Sequence, residues 1–163
     1  IVSCSTQNVS VDYDRGFNFE TNKTFSFSNE GNLGLNDLDS ARLYNSIEKG
    51  MLFKGFQKSN EGSLTVQIKP EEYVSKQQNS NVGIGMGTGG YGFGGGVSVG
   101  IPIMTQKLNQ NYTVSMYNEG QMVWQGILKI QMPVKASPEV RSQNIQNGVF
   151  KMLKNFPYKE KKK

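Results

Sequence analysis

The chain has 163 residues, 36% of them apolar and 19% charged, with one cysteine, no histidine and a net charge of +5. That length suits one domain with a single core, and no apolar run reaches the roughly 18 residues that a membrane-spanning helix needs. A lone cysteine excludes an intramolecular disulfide, and without histidine or a cysteine cluster the usual zinc and copper sites and the commonest general base near neutral pH are missing.

The charge is unevenly placed: the end Lys159-Glu160-Lys161-Lys162-Lys163 supplies +3 of the +5. The remaining Lys and Arg are scattered among acids, whereas a nucleic-acid surface carries a basic face interleaved with aromatics. No nucleic-acid partner is expected, and residues 158–163 read as a basic tail able to touch anionic lipid or phosphate.

Residues 1–8 carry the first signal. Ile1, Val2 and small Ser3 precede Cys4, and polar Ser5, Thr6, Gln7 and Asn8 follow. A small residue before cysteine, with apolar residues upstream, is the shape of a lipoprotein processing site, where the thiol becomes a thioether to lipid. On this reading the chain begins within a signal peptide, and Cys4 is the first residue of the mature protein. Two or three acyl chains, palmitate among them, then anchor firmly, since each buried CH₂ adds about 0.8 kcal/mol. The alternative is a free cysteine at a disordered end. Ser5, rather than Asp, points to the outer membrane, facing the periplasm.

Residues 9–157 read as one α+β domain. Val9 to Tyr13 alternates as a half-buried strand, and Asp14-Arg15-Gly16 turns the chain toward Phe17 and Phe19 as packing residues. Lys23 to Phe27 gives a second strand, and Ser28 to Asn36 is loop. Asn36 or Asp37 caps a helix with Asp37 and Asp39 in its first turn; Leu43, Ile47 and Met51 form its buried stripe and Gly55 closes it. Phe56 to Ser59 is a short strand. Leu64 to Ile68 is a clear strand expected to stop near Pro70, with the polar run to Asn81 as exposed continuation or loop.

Glycine fills nearly every second position from Val82 to Ile103. Apolar positions are even-numbered from 82 to 86 and odd-numbered from 91 to 103, a phase change expected of a hairpin or kink at Gly89-Gly90. Tyr91, Phe93, Val97 and Val99 then share one face as a candidate partner or assembly segment. Tyr112 to Tyr117 and Met122 to Ile130 form an antiparallel pair about Asn118-Glu119-Gly120, with Met122, Trp124, Leu128 and Ile130 on one face. Ser137-Pro138-Glu139 starts a final helix whose stripe is Ile145, Val149, Met152, Leu153 and Phe156, ended by Pro157. The expected fold is a mostly antiparallel sheet of five to seven strands with two helices packed on one face.

Reactive chemistry is sparse. Gly85-x-Gly87-x-x-Gly90 matches a dinucleotide fingerprint, but in a glycine tract without a following helix or ribose-binding acid it reads as chance. Asp12 and Asp14 share a strand face and could serve a carboxylate hydrolase or a calcium site; the simpler reading has them flank a turn beside Arg15 or Lys23. Glu71 and Glu72 point to opposite faces. No catalytic or metal residue and no cofactor is assigned.

Three stretches together resemble a bacterial lipoprotein family described only as a domain of unknown function, number 4136. They are Val9 to Asp14 running into Lys23-Thr24-Phe25, the hairpin containing Trp124-Gln125-Gly126, and the closing helix from Ser137 to Pro157. Ser26-Phe27 stands where that family has Ala-Trp. The resemblance implies tethering to the outer membrane through an acylated Cys4 and no assigned reaction. The expected function is therefore a non-catalytic envelope component that docks on an envelope protein or peptidoglycan. Two alternatives stand beside it: oligomerisation or membrane insertion by residues 82–103, and a hydrolase built on Asp12 and Asp14.

Overall fold

The computed structural model describes residues 5–28, 33, 36–78 and 104–157. Among them the elements run β1 (Thr6–Tyr13), β2 (Thr24–Phe27), α1 (Asp37–Phe53), β3 (Gln57–Lys58), β4 (Leu64–Gln78), β5 (Met104–Asn118), β6 (Gln121–Pro133) and α2 (Pro138–Met152). The strands form one sheet in the order β1-β6-β5-β4-β2-β3. The α+β expectation holds, with one refinement. β1, β6, β5 and β4 pair antiparallel, but β2 runs parallel to both β3 and β4. The cause is α1, whose 17 residues carry the chain back along the sheet before it re-enters beside β2.

Both helices start where their caps predict. The Asn36 side chain accepts from the Leu38 N–H at 2.9 Å, and Ser137 Oγ accepts from the Val140 N–H at 3.3 Å. The Glu139 carboxyl, in the first turn of α2, is held below its ordinary pKa by its own backbone N–H and by Ser137. Ser137→Ala should cost about 1 kcal/mol, read as a lowered urea midpoint with an unchanged slope. Gly55 takes φ +88 just past α1, where a left-handed residue lets the Phe56 N–H reach back to the Met51 carbonyl at 3.0 Å.

β4 does not stop at Pro70. It continues to Gln78, paired with β5 as far as Gln78↔Met104. The Ser28 N–H bonds the Val66 carbonyl at 2.9 Å, so the even-numbered residues of β4 aim their backbone polar groups toward β2. Pro70 therefore points its ring nitrogen to the side where, beyond Val66, no strand lies among the described residues. The ladder to β5 needs nothing from it.

The β5–β6 turn has Glu119 at φ 49 and Gly120 at φ 81, the paired positive values that suit a two-residue hairpin loop. A register irregularity between Met116 and Tyr117 pairs these residues with Trp124 and Met122, leaving Val123 as the extra residue. Val123 and Trp124 are consequently both buried, while Met122, expected on the core face, is 45% exposed.

The core lies between the helices and the sheet face bearing Leu64, Val66, Ile68, Tyr112, Val114, Trp124, Leu128 and Ile130. At one end Phe156, from the turn after α2, is the hub of an aromatic cluster. Its ring centroid lies 5.1 Å from Phe56, 5.2 Å from Phe19 and 5.7 Å from Trp124. Gly126 is glycine for a packing reason: a Cβ there would stand 2.5 Å from the Trp124 ring and 2.7 Å from Met152.

Candidate functional site

Cys4, Tyr91, Phe93, Val97 and Val99 all lie outside the described residues. What the structure does place is the described chain that flanks them in sequence. β4 and β5 are antiparallel neighbours up to Gln78↔Met104, so residues 79–103 connect the two strands of a hairpin. β1 starts at Thr6, two residues after Cys4, on an edge of the sheet. There Gln7 hydrogen-bonds the Asn144 side chain and accepts from Lys151 Nζ at 3.3 Å. The amino-terminal end of the fold is thereby fixed against α2.

Asp12 and Asp14 border a shallow depression shared with Tyr13, Met122, Val123, Trp124 and Gln125. Their carboxylates engage local backbone: Asp12 accepts from the Tyr13 N–H and Asp14 from the Gly16 N–H, both at 2.9 Å. Lys23, suggested as a partner, instead pairs with Glu20 at 3.2 Å. Asp14 shapes the turn after β1 while Asp12 stays within the strand, opposite Gln125, and the structure brings no cation to them among the described lining residues.

The densest buried charge lies elsewhere. Asp39, expected only to face the start of α1, is fully buried and ties the two helices to the sheet. Arg141 of α2 grips it through two nitrogens, Nη2 at 2.5 Å and Nε at 3.1 Å from Oδ2, and Arg42 Nη1 lies 2.5 Å from Oδ1. Gln110 Nε2 on β5 reaches Asp39 Oδ2 at 3.0 Å and Glu72 Oε2 at 3.1 Å. Burial alone would raise the Asp39 pKa, but the bonds from Arg141, Arg42 and Gln110 outweigh it and hold the carboxyl below its ordinary value. Burial, with Asp39 and Glu72 nearby, pushes the Tyr112 phenol up, so it stays protonated. This cluster fastens helices to sheet; its carboxylate is shielded from solvent and saturated with donors.

The surface above it is different in kind. Where α1 and α2 cross, Gly50 lets the helices approach closely; a Cβ there would sit 2.7 Å from Leu153. The seam opens outward into a groove of about 540 Å³ floored by Gly50, Val149 and Leu153. Phe53 and Phe150 flank it, 84% and 69% exposed. Leaving such a ring in water forgoes roughly 1.5–3 kcal/mol apiece. The charged residues around this groove are all basic, namely Arg42, Lys49, Lys54 and Lys154. Lys54 Nζ also donates to the Lys154 carbonyl at 2.8 Å, joining the ends of the two helices.

This face escaped the sequence reading because attention to the buried stripes leaves their off-phase neighbours unexamined. Phe53 falls outside the Leu43-Ile47-Met51 stripe, and Phe150 outside the Ile145-Val149-Met152 stripe. An aromatic out of phase on each of two helices was the available signal. The Asp39–Arg141 pairing had none, since 102 residues separate the partners.

The opposite face of the sheet is polar. Gln125 bonds Ser115 at 3.3 Å, and Asn109 joins Gln131 at 3.1 Å and Ser75 at 2.9 Å.

Residues 9–158 match the family described as Domain of unknown function (DUF4136). No curated protein matches the chain. Among solved structures it is similar to a PDZ domain protein from Parabacteroides distasonis, with a TM-score of 0.52 and 14% identity over 98% of this chain; it spans 38% of that protein's length. That likeness is one of fold. Two PelC dodecamers from Paraburkholderia phytofirmans, one a point variant, give TM-scores of 0.46 and 0.44 at 10% and 9% identity, covering 88% of this chain and 95% of theirs.

Proposed function

The chain belongs to the DUF4136 family, and on that footing we propose that it is a non-catalytic component of the bacterial envelope, lipidated on Cys4 and held to the outer membrane facing the periplasm. The observation that carries this reading is the placement of the fold's start. Ser3-Cys4 has the small-residue-cysteine pattern of a processing site, and the first strand begins at Thr6. A lipid on Cys4 would hold the domain directly at the bilayer rather than on a long leash. The polar outer face of the sheet, with its amide and hydroxyl groups, would be the surface for an envelope protein or for peptidoglycan.

Intact-mass analysis of the protein extracted from membranes of a bacterial host tests the anchor. The expected result is a chain beginning at Cys4 with the added mass of acyl chains, and a Cys4→Ser form that moves to the soluble fraction. An unmodified thiol on a wild-type protein recovered from the soluble fraction would overturn the proposal.

A further inference from the structure

We infer that the face formed by α1 and α2 around Phe53 and Phe150 is a membrane-contact surface, which lies on an anionic bilayer leaflet. This rests on the lipidated Cys4 proposed above and adds to it an orientation. Two observations converge. Phe53 and Phe150 project into solvent from neighbouring helices and flank an apolar seam, the arrangement that inserts between headgroups. Three lysines line that seam, Lys49, Lys54 and Lys154, and complement anionic headgroups, while Arg42 beside them is already paired with Asp39; lysine stems can also lie along the apolar boundary with their ammonium groups in water.

Gln7 touches Asn144 and Lys151 of α2, so the start of β1 is fastened to the helix layer that carries this face. Lipid at Cys4 would hold the domain at the bilayer, and contact at the helices would set which face lies on it. An acidic protein segment could match the same charges, but the seam's flanking rings stand proud of it instead of enclosing a slot.

The test uses the full chain coupled through Cys4, its only cysteine, to a maleimide-headgroup lipid, so the outcome does not depend on acylation in the cell. Phe53→Trp and Phe150→Trp variants are placed on vesicles of brominated phosphatidylglycerol with phosphatidylethanolamine, or of brominated phosphatidylcholine. The buried Trp124 of the wild type serves as the unquenched reference. Emission from either new tryptophan should fall about twofold on the anionic vesicles and much less on the zwitterionic ones, with the difference removed by high salt. Without coupling, a Cys4→Ser protein carrying Lys49→Glu and Lys154→Glu should bind anionic vesicles roughly a hundredfold more weakly than Cys4→Ser alone. Tryptophans indifferent to brominated lipid, or quenched equally on both vesicle types, would overturn the inference. A native protein lacking acyl chains would instead count against the anchor alone.

Discussion

Replacing Asp39 with alanine is expected to destabilise the fold by about 3 kcal/mol, because it leaves Arg141 and Arg42 clustered without their counter-charge. The lower end of the range for broken buried pairs applies, since the two arginine side chains keep 19% and 22% of their exposure and can recruit water. Urea unfolding followed by circular dichroism would measure it, and a loss below 1 kcal/mol would contradict the geometry. The pH dependence gives a second reading. Asp39 has a folded pKa held below its ordinary value, so its contribution is complete above about pH 4 and lost as the pH falls through that lower folded value. Asp39→Asn should therefore flatten the acid limb of the stability profile relative to wild type, while lowering stability near neutrality.

The other large effect concerns Trp124 and Gly126. Trp124→Ala should cost about 3–5 kcal/mol, as expected for deleting a buried aromatic that touches Phe156 edge-on at 5.7 Å. Gly126→Ala should cost about 2 kcal/mol, since the added methyl meets the indole and Met152 well inside contact distance. The two changes are not independent. Removing the indole opens part of the space that the methyl needs, so the double variant should be more stable than the summed single losses by about 1 kcal/mol. A double-mutant cycle from chemical unfolding would show this, and strict additivity would mean that Met152 alone sets the limit.

The contrast between these two sites shows what the sequence makes legible. The helices were readable nearly to the residue, because caps at Asn36 and Ser137 and stripes at Leu43-Ile47-Met51 and Ile145-Val149-Met152 are local signals. Trp124 as core and the β5–β6 hairpin were readable for the same reason. The far halves of β4 and β5 were not. From Lys69 to Gln78 and from Thr105 to Asn111 the residues are mostly polar, and the strands there are held by mutual pairing more than by apolar burial. Alternation also carries no direction, so the parallel β2 was invisible until α1 was seen to carry the chain back. Val123 defeated the face assignment of Met122 because a bulge shifts the parity of everything beyond it. At the site, Phe53 and Phe150 were written in the sequence only as off-phase aromatics. Their meaning comes from the two helices lying side by side.

The proline in β4 has a further consequence for how copies of the fold meet at close range. An outer strand with a full row of unpaired donors would template runaway sheet growth between neighbouring molecules. Pro70 removes one donor from that row, and Lys69, Glu71 and Glu72 beside it would set like charges against each other in an in-register parallel stack. Among the described residues, this border of β4 is thus guarded against strand-to-strand addition.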